Sequence, residues 1–216
     1  MKFDIKELPF AQFEQLGMNR KDVITLPPQQ LADMLNGHRT GLISLKIELG
    51  EGMKPITTEA KLSLTRNPDN TVSLGVHPIL VKPINSIEAT PEQWEKMLKG
   101  EAILKDSKAF NGAMEPHIHQ LDKDTNEILS ARVNAIQIPN SIQGTVITPS
   151  QKEELKKGGP VEVESKTKTE VVVVRVDLNE AKGYKITAGE LGREQEIKAE
   201  LEISKGIENV SRGVKM

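Results

Sequence analysis

A short helical pattern recurs three times along the chain. Each copy has Pro, then Gln two positions later, Met or Leu four positions after the Gln, and Gly three positions further on. Proline is favoured in the first helical turn, and glycine suits the left-handed residue that follows the last turn. The pattern therefore predicts three short helices, which align without gaps over residues 28–37, 91–100 and 149–158.

Neighbouring residues sharpen this prediction. Thr90 and Thr148 precede the second and third copies, and Gln93 and Gln151 follow three residues later, which is the spacing of a capping box. Pro27 occupies the corresponding position of the first copy, so a weaker cap is expected there. Apolar residues at i, i+3 and i+4 predict a buried stripe on the first two helices: Leu31, Met34 and Leu35, then Trp94, Met97 and Leu98.

Strand-like sequence follows each predicted helix. In the first copy, apolar and polar residues alternate on both sides of a polar turn at 67–70, which predicts a hairpin. Comparable turns follow at 122–126 and 179–183 in the other two copies. The run of four valines that starts at Val171 indicates a strand buried on both faces.

The repeat predicts an α+β fold. Three related units, each a helix followed by antiparallel strands, would pack side by side with a small helical N-terminal cap formed by amphipathic stretches at 8–16 and 22–26. The C-terminal sequence alternates apolar and charged residues but is rich in helix formers, so both strand and helix remain open. The predicted segments are a cap at 1–26, repeat units at 27–84, 85–142 and 143–190, and a polar segment at 191–216.

Composition and charge narrow the function classes. The chain is 37% hydrophobic and 28% charged, which is typical of a globular protein. A net charge of −2 and 3% aromatic residues argue against bulk nucleic-acid binding and against stacking of single strands. The absence of Cys excludes disulfides and thiolate metal sites. No signal peptide or apolar run of about 20 residues is present, so a soluble, cytoplasmic protein without a membrane segment is expected.

The sharpest candidate site is Glu115, His117 and His119, which would share one face of a strand. Imidazole and carboxylate groups in this arrangement suit zinc or a similar metal, or an anionic ligand. The alternative is an exposed strand face with two ordinary histidines. His38 and Arg39 form a second candidate ligand site after the first helix, where Arg39 could instead complement the helix dipole.

Several segments resemble protein domains of unknown function. Residues 8–17, 35–40 and 56–62 resemble one uncharacterised family, found in proteins of conjugative and mobilisable elements of anaerobic gut bacteria. Residues 121–127 and 138–144 resemble a second such family that often follows the first. The resemblance spans roughly residues 5–190 and supplies no catalytic residues; because relatives tend to be longer, it also implies a reduced, phage-borne version.

The sequence contains no Gly-rich phosphate loop, Gly-x-Ser-x-Gly elbow or His-Glu-x-x-His motif. We therefore expect a non-enzymatic binding or adaptor protein of a mobile genetic element or phage, with a protein partner and exposed sheet edges covered by a homo-oligomer. One alternative is a protein that sequesters a small nucleotide-like signal. The other is a metal-dependent enzyme that uses His117 and His119. The sequence identifies no cofactor.

Overall fold

The computed structural model describes residues 2–47, 53–108, 112–167 and 171–189. Within these ranges the fold is α+β, as predicted. The helices are α1 (Phe10–Gln15), α2 (Arg20–Ile24), α3 (Pro28–Leu35), α4 (Pro91–Leu98) and α5 (Pro149–Lys156), with short 3-10 helices at Ile5–Glu7 and Val133–Ala135. The predicted C-terminal segment at 191–216 lies outside the described residues.

Three small sheets follow the three repeated helices in sequence. In the first, β2 lies between β1 and β3, with antiparallel pairing on both sides. In the second, β5 lies between β4 and β6, and in the third β10 lies between β9 and β11. The strands are β1 (Ile43–Ile47), β2 (Ile56–Arg66), β3 (Val72–Pro78), β4 (Ile103–Lys108), β5 (Met114–Leu121), β6 (Ile128–Arg132), β7 (Ser141–Ile142), β8 (Thr145–Val146), β9 (Val161–Glu164), β10 (Val171–Val176) and β11 (Tyr184–Ala188).

The helix termini follow the predicted chemistry. Thr90 and Thr148 each cap a helix and form a complete capping box with the Gln three residues later. Pro27 supplies no side-chain cap to α3. The glycines that follow the three helices have φ between 81° and 84°, a left-handed conformation that costs glycine little. Local sequence therefore determines where these helices begin and end.

The chain forms two compact units. The first contains residues 1–86 together with Leu121–Ile128, the turn that joins β5 to β6. The second contains residues 87–120 and the described residues from 129 onward. The predicted borders of the three repeat units stay a prediction.

The core of the first unit joins its helices to one face of its sheet. Phe13, Val23 and Met34 are fully buried and belong to the same apolar cluster as Leu62 of β2. The stripe on α3 is therefore confirmed. The clustering also explains the N-terminal cap, because α1, α2 and α3 cover apolar surface that a three-stranded sheet would otherwise expose.

The second unit has its own core. Val172 and Val174 of β10 pack with Leu155 of α5, and Val173 is also fully buried, which confirms the prediction for the valine run. The predicted stripe on α4 is wrong at Leu98, which is 55% exposed. No helix in the described ranges is long and apolar enough to cross a membrane.

Candidate functional site

One face of the first sheet carries a polar network. Leu62 and Leu64 of β2 point into the core, so Lys61 and Ser63 project from the opposite face, because side chains alternate along a strand. Lys61 lies directly opposite His77 of β3. The strand register therefore brings Lys61, Ser63 and His77 together on the face of the sheet that the helices do not cover.

His77 bridges two partners. Its Nε2 atom lies 2.8 Å from Ser63 Oγ, and its Nδ1 atom lies 2.9 Å from Glu127 Oε2. An ionised carboxylate only accepts hydrogen bonds, so in the neutral imidazole Nδ1–H donates to Glu127 and Nε2 accepts from the Ser63 hydroxyl. The two contacts thus select one tautomer of neutral His77.

Ion pairs connect this histidine to the rest of the network. Arg39 Nη1 lies 2.8 Å from Glu127 Oε2 and 3.2 Å from Asp122 Oδ2. Lys61 Nζ lies 2.7 Å from Asp122 Oδ1 and 2.8 Å from Asp124 Oδ2. The Asp122 side chain is 1% exposed and that of Lys61 is 9% exposed, so this pair is largely removed from water. Such a pair is costly to break by removal of one partner.

The turn that supplies these carboxylates is ordered by its own hydrogen bonds. Asp122 Oδ1 accepts from the backbone N–H groups of Asp124 and Thr125, at 3.1 and 3.4 Å. Asn126 has a φ of 59°, a left-handed conformation that Asn tolerates better than most residues. The local sequence therefore shapes the turn, and the ion pairs hold it within the first unit.

The surroundings lower the pKa values of His77 and Asp122, and both shifts favour the deprotonated group. Burial, reinforced by the charge of Arg39, lowers the pKa of His77 despite the opposing effect of Glu127. Burial alone would raise the pKa of Asp122, but hydrogen bonds from Lys61 and the Asp124 backbone and the nearby cations outweigh it and lower it. At neutral pH, His77 is therefore uncharged and Asp122 is ionised.

An open depression of about 430 Å³ adjoins the network within the first unit. A volume of this size is in the range of sites that hold small ligands. Branched apolar side chains supply part of its wall, while the charged and polar groups come from the network and its neighbours. Its lining residues are Arg39, His77, Leu80, Ile84, Ser86, Asn126, Glu127 and Ile128.

The chain segment beside the depression exposes apolar side chains. Val76, Ile79, Val81 and Ile84 are 40%, 45%, 102% and 61% exposed. Single exposed apolar residues are common, but four within nine residues form a local concentration of the kind found at interaction sites. The backbone of Leu80, in the middle of this segment, is held by the turn through hydrogen bonds with Thr125 and Asn126.

Part of the chain matches a known protein family. Residues 3–88 match the DUF4099 family, described as a protein of unknown function. The match confirms the predicted resemblance to a domain of unknown function for this part of the chain. Ser63 and His77 lie inside the DUF4099 match, whereas Asp122 and Glu127 lie outside it. No curated protein and no solved structure matches the chain.

Of the two predicted ligand residues inside the DUF4099 match, Arg39 lies in the network and lines the depression. Its guanidinium pairs with two carboxylates. His38 is partly buried, and its backbone N–H donates to Asp33 O at the end of α3. Among the described contacts, none brings the His38 side chain into the network. Whether either residue binds a ligand stays a prediction.

The candidate metal site lies on β5 in the second unit. His119 is 1% exposed, with Nε2 3.0 Å from Ser107 Oγ and Nδ1 2.7 Å from Ser130 Oγ. The ring centroids of His117 and His119 are 5.9 Å apart, and Nδ1 of His117 lies 2.8 Å from Glu115 O.

The Glu115 carboxylate pairs with Arg132 at 3.3 Å. In the described parts of the chain, no group of three His, Asp or Glu side chains is arranged to hold a metal. The metal site stays a prediction, and these contacts favour a structural role for His119.

Sequence reasoning rated His77, at the end of a predicted strand, below the other candidate ligands, and missed its partners in the network. Lys61 lies on the polar side of the alternation in β2, between Glu59 and Ser63, so the sequence gives no signal that its charge is buried. The pairing of Ser63 with His77 could have been derived from the hairpin register around the turn at 67–70. Nothing in the sequence links either residue to Glu127, because that contact spans 50 residues.

Proposed function

We propose that this chain is a binding or adaptor protein of a mobile genetic element or phage, and that its partner docks on the exposed apolar segment at 76–84. The observation that carries the proposal is the concentration of exposed apolar side chains there, with Val81 102% and Ile84 61% exposed. Burying such side chains on association is favourable, since each releases water from apolar surface. Docking of this kind requires no chemical step.

Preorganisation of the segment supports the proposal. The Leu80 N–H donates to Thr125 O at 2.9 Å, and Asn126 Nδ2 donates to Leu80 O at 2.7 Å. A segment that is already ordered loses less conformational entropy when a partner binds. The turn that holds it is in turn anchored by the buried pair of Asp122 with Lys61.

The mobile-element setting rests on the resemblance of the chain to domains found in such elements. The DUF4099 match is compatible with it and adds no activity, because that family is of unknown function. A protein partner is therefore the simplest proposal that uses both the exposed segment and the family resemblance.

Affinity capture from cells that naturally carry the gene tests the docking proposal. The double variant Val81→Ser, Ile84→Ser should lose the partner that the unsubstituted chain retains. Val146→Ser is the matched control, because Val146 is also exposed, at 70%, but lies in β8 of the second unit. Capture that is insensitive to the double variant would rule out the segment, and light scattering would identify a second copy of the chain as the partner.

A small nucleotide-like ligand is the second candidate, and the volume of the depression favours it. Arg39 is the cation that would meet a phosphate, but Asp122 and Glu127 already neutralise it. A thermal-shift screen of cyclic and ADP-ribose-type nucleotides tests this candidate, because binding to the folded state raises its apparent stability. Stabilisation that disappears in Arg39→Gln would replace the docking proposal.

A further inference from the structure

The order of contacts around His77 is that of a nucleophile, a base and an orienting acid. A serine hydroxyl bonds to Nε2 at 2.8 Å, and a carboxylate bonds to Nδ1 at 2.9 Å. Hydrolases of unrelated folds use this same sequence of groups, and it is recognised by geometry and not by position in the chain. Neither the DUF4099 match nor the docking proposal assigns a role to Ser63.

Two members of this group reach the open depression, and Ser63 is partly buried behind them. His77 and Glu127 line the open depression, and their side chains are 19% and 25% exposed. The cross-strand partner of Ser63 is Gly75, where an added Cβ would lie 2.7 Å from Ser63 Oγ and 3.4 Å from His77 Nε2. Glycine at this position therefore leaves room for the hydroxyl and the imidazole to meet.

We propose that Ser63, His77 and Glu127 form a hydrolytic site for small neutral esters, with Ser63 as the nucleophile and His77 as the base. This activity goes beyond docking, and its site shares His77, Leu80 and Ile84 with the docking segment. Leu80, Ile84 and Ile128 line the depression and suit an aliphatic group of the substrate. The nearby carboxylates disfavour an anionic substrate.

The reaction follows from the tautomer that the contacts select. Ser63 Oγ attacks the carbonyl carbon while its proton passes to His77 Nε2. The C–O bond to the alcohol then breaks, and the alcohol leaves with that proton. Water attacks the resulting acyl-serine, transfers a proton to Nε2, and the free acid departs as the proton returns to Ser63 Oγ.

Charges around the imidazole support this assignment. The groups that face His77 are Lys61 and Ser63 on β2, Arg39, and Asp122 and Glu127 from the turn. Burial and Arg39 lower the pKa of His77, so the imidazole is a neutral base at physiological pH. Glu127 acts through His77 as a positioning residue that fixes the tautomer.

An uncharged alkyl fluorophosphonate tests the nucleophile directly in the full-length protein. We expect a covalent adduct on Ser63, located by peptide mass spectrometry, and slow hydrolysis of p-nitrophenyl butyrate. His77→Gln should reduce the labelling rate by about 100-fold or more, the usual contribution of general base catalysis. Absence of an adduct on Ser63, or an adduct that forms equally in His77→Gln, would overturn the proposal.

The chain contains a matched control for this experiment. Ser107 bonds to His119 Nε2 at 3.0 Å, but His119 is buried and has Ser130, not a carboxylate, at Nδ1. Ser107→Ala should leave the labelling unchanged, as should Val81→Ser, which tests docking alone. Labelling that is lost with Ser107 would place the reactive serine in the second unit and overturn the assignment.

A pH profile separates chemistry from folding. Labelling of the native chain should fall as His77 becomes protonated, with a midpoint below the ordinary histidine value of 6.5. Glu127→Gln removes a charge that raises the pKa of His77, so the midpoint should move to lower pH. If His77→Gln fails to fold, Ser63→Ala replaces it, and ester hydrolysis that persists in folded Ser63→Ala would overturn the proposal.

Discussion

Each unit has a histidine on a small antiparallel sheet, but the two histidines have different hydrogen-bond partners. In the first unit His77 meets Ser63 and the charged Glu127, and remains partly open to water. In the second unit His119 meets two serine hydroxyls and is almost completely buried. Burial lowers the pKa of both residues.

The turns differ in the same way. Asp122 of the first unit pairs with Lys61 and Arg39. Asp177 of the second unit is also buried, and its Oδ1 accepts from the backbone and side-chain nitrogens of Asn179 at 3.0 and 3.2 Å. Hydrogen bonds from Asn179 order the turn at Asp177, whereas the turn at Asp122 also forms ion pairs with Arg39 and Lys61. These ion pairs fix two cations beside His77 in addition to shaping the turn.

The largest difference is expected for the two aspartates. Asp122→Ala leaves Lys61 without its most buried partner and should lower the free energy of unfolding by about 3–5 kcal/mol. Asp177→Ala removes hydrogen bonds to Asn179 and should cost about 1–2 kcal/mol. Urea denaturation of both variants measures the difference, and equal losses would show that the ion pairs add nothing beyond the shape of the turn.

For the histidines, we expect the larger loss of stability in the second unit, the reverse of the order expected for the aspartates. His119→Ala leaves a cavity and two serine hydroxyls without a partner, so we expect a loss of about 3 kcal/mol. His77→Ala, in the more open site, should cost about 1 kcal/mol. Thermal and urea denaturation check both values, and a larger loss for His77 would assign it the structural role and weaken the case for a site.

Acid should weaken the fold in two stages. Because the folded chain holds the pKa of His77 and His119 below 6.5, the unfolded chain binds protons more readily. The free energy of unfolding is therefore at its full value above about pH 6.5 and falls as the pH drops below it. The lowered pKa of Asp122 adds a second loss below about pH 3.8.

Urea titrations of the unsubstituted chain, His77→Gln and His119→Gln across this pH range assign the first stage. Each substitution should flatten the pH dependence, because it removes one group that takes up a proton on unfolding. A slope that survives the double substitution would exclude both histidines as its origin.

The smallest effect is expected at Gly75. Gly75→Ala places a Cβ 2.7 Å from Ser63 Oγ, and relief of that contact should cost about 1 kcal/mol. The double variant Gly75→Ala, Ser63→Ala removes the opposing oxygen and should recover most of the loss. Strict additivity in this double-mutant cycle would mean that the added methyl group disturbs something other than the Ser63–His77 contact.

Much of the fold could be predicted because its signals are local. Thr90 and Thr148 cap their helices through contacts three residues away. The uninterrupted run of valines in β10 indicates by itself that both faces of this strand are buried. Leu98 was predicted incorrectly, since helical periodicity assigns a side chain to a face but does not say what covers that face.

The site was only partly predictable. Arg39 was identified as a candidate, but as a residue near a helix end, and the sequence favoured His117 and His119 because they are two residues apart. The contact of His77 with Glu127 spans 50 residues and that of Lys61 with Asp122 spans 61. No periodicity connects residues so far apart.

By itself, the sequence determined the helices, their caps, the hairpin turns and the α+β class, since these depend on interactions over a few residues. The tertiary structure alone decided that the turn Leu121–Ile128 belongs to the first unit, and so which carboxylates meet Arg39, Lys61 and His77. The physical reason is that such pairing depends on the packing of distant segments, where the cost of desolvating each charge is offset only by a partner in the right position.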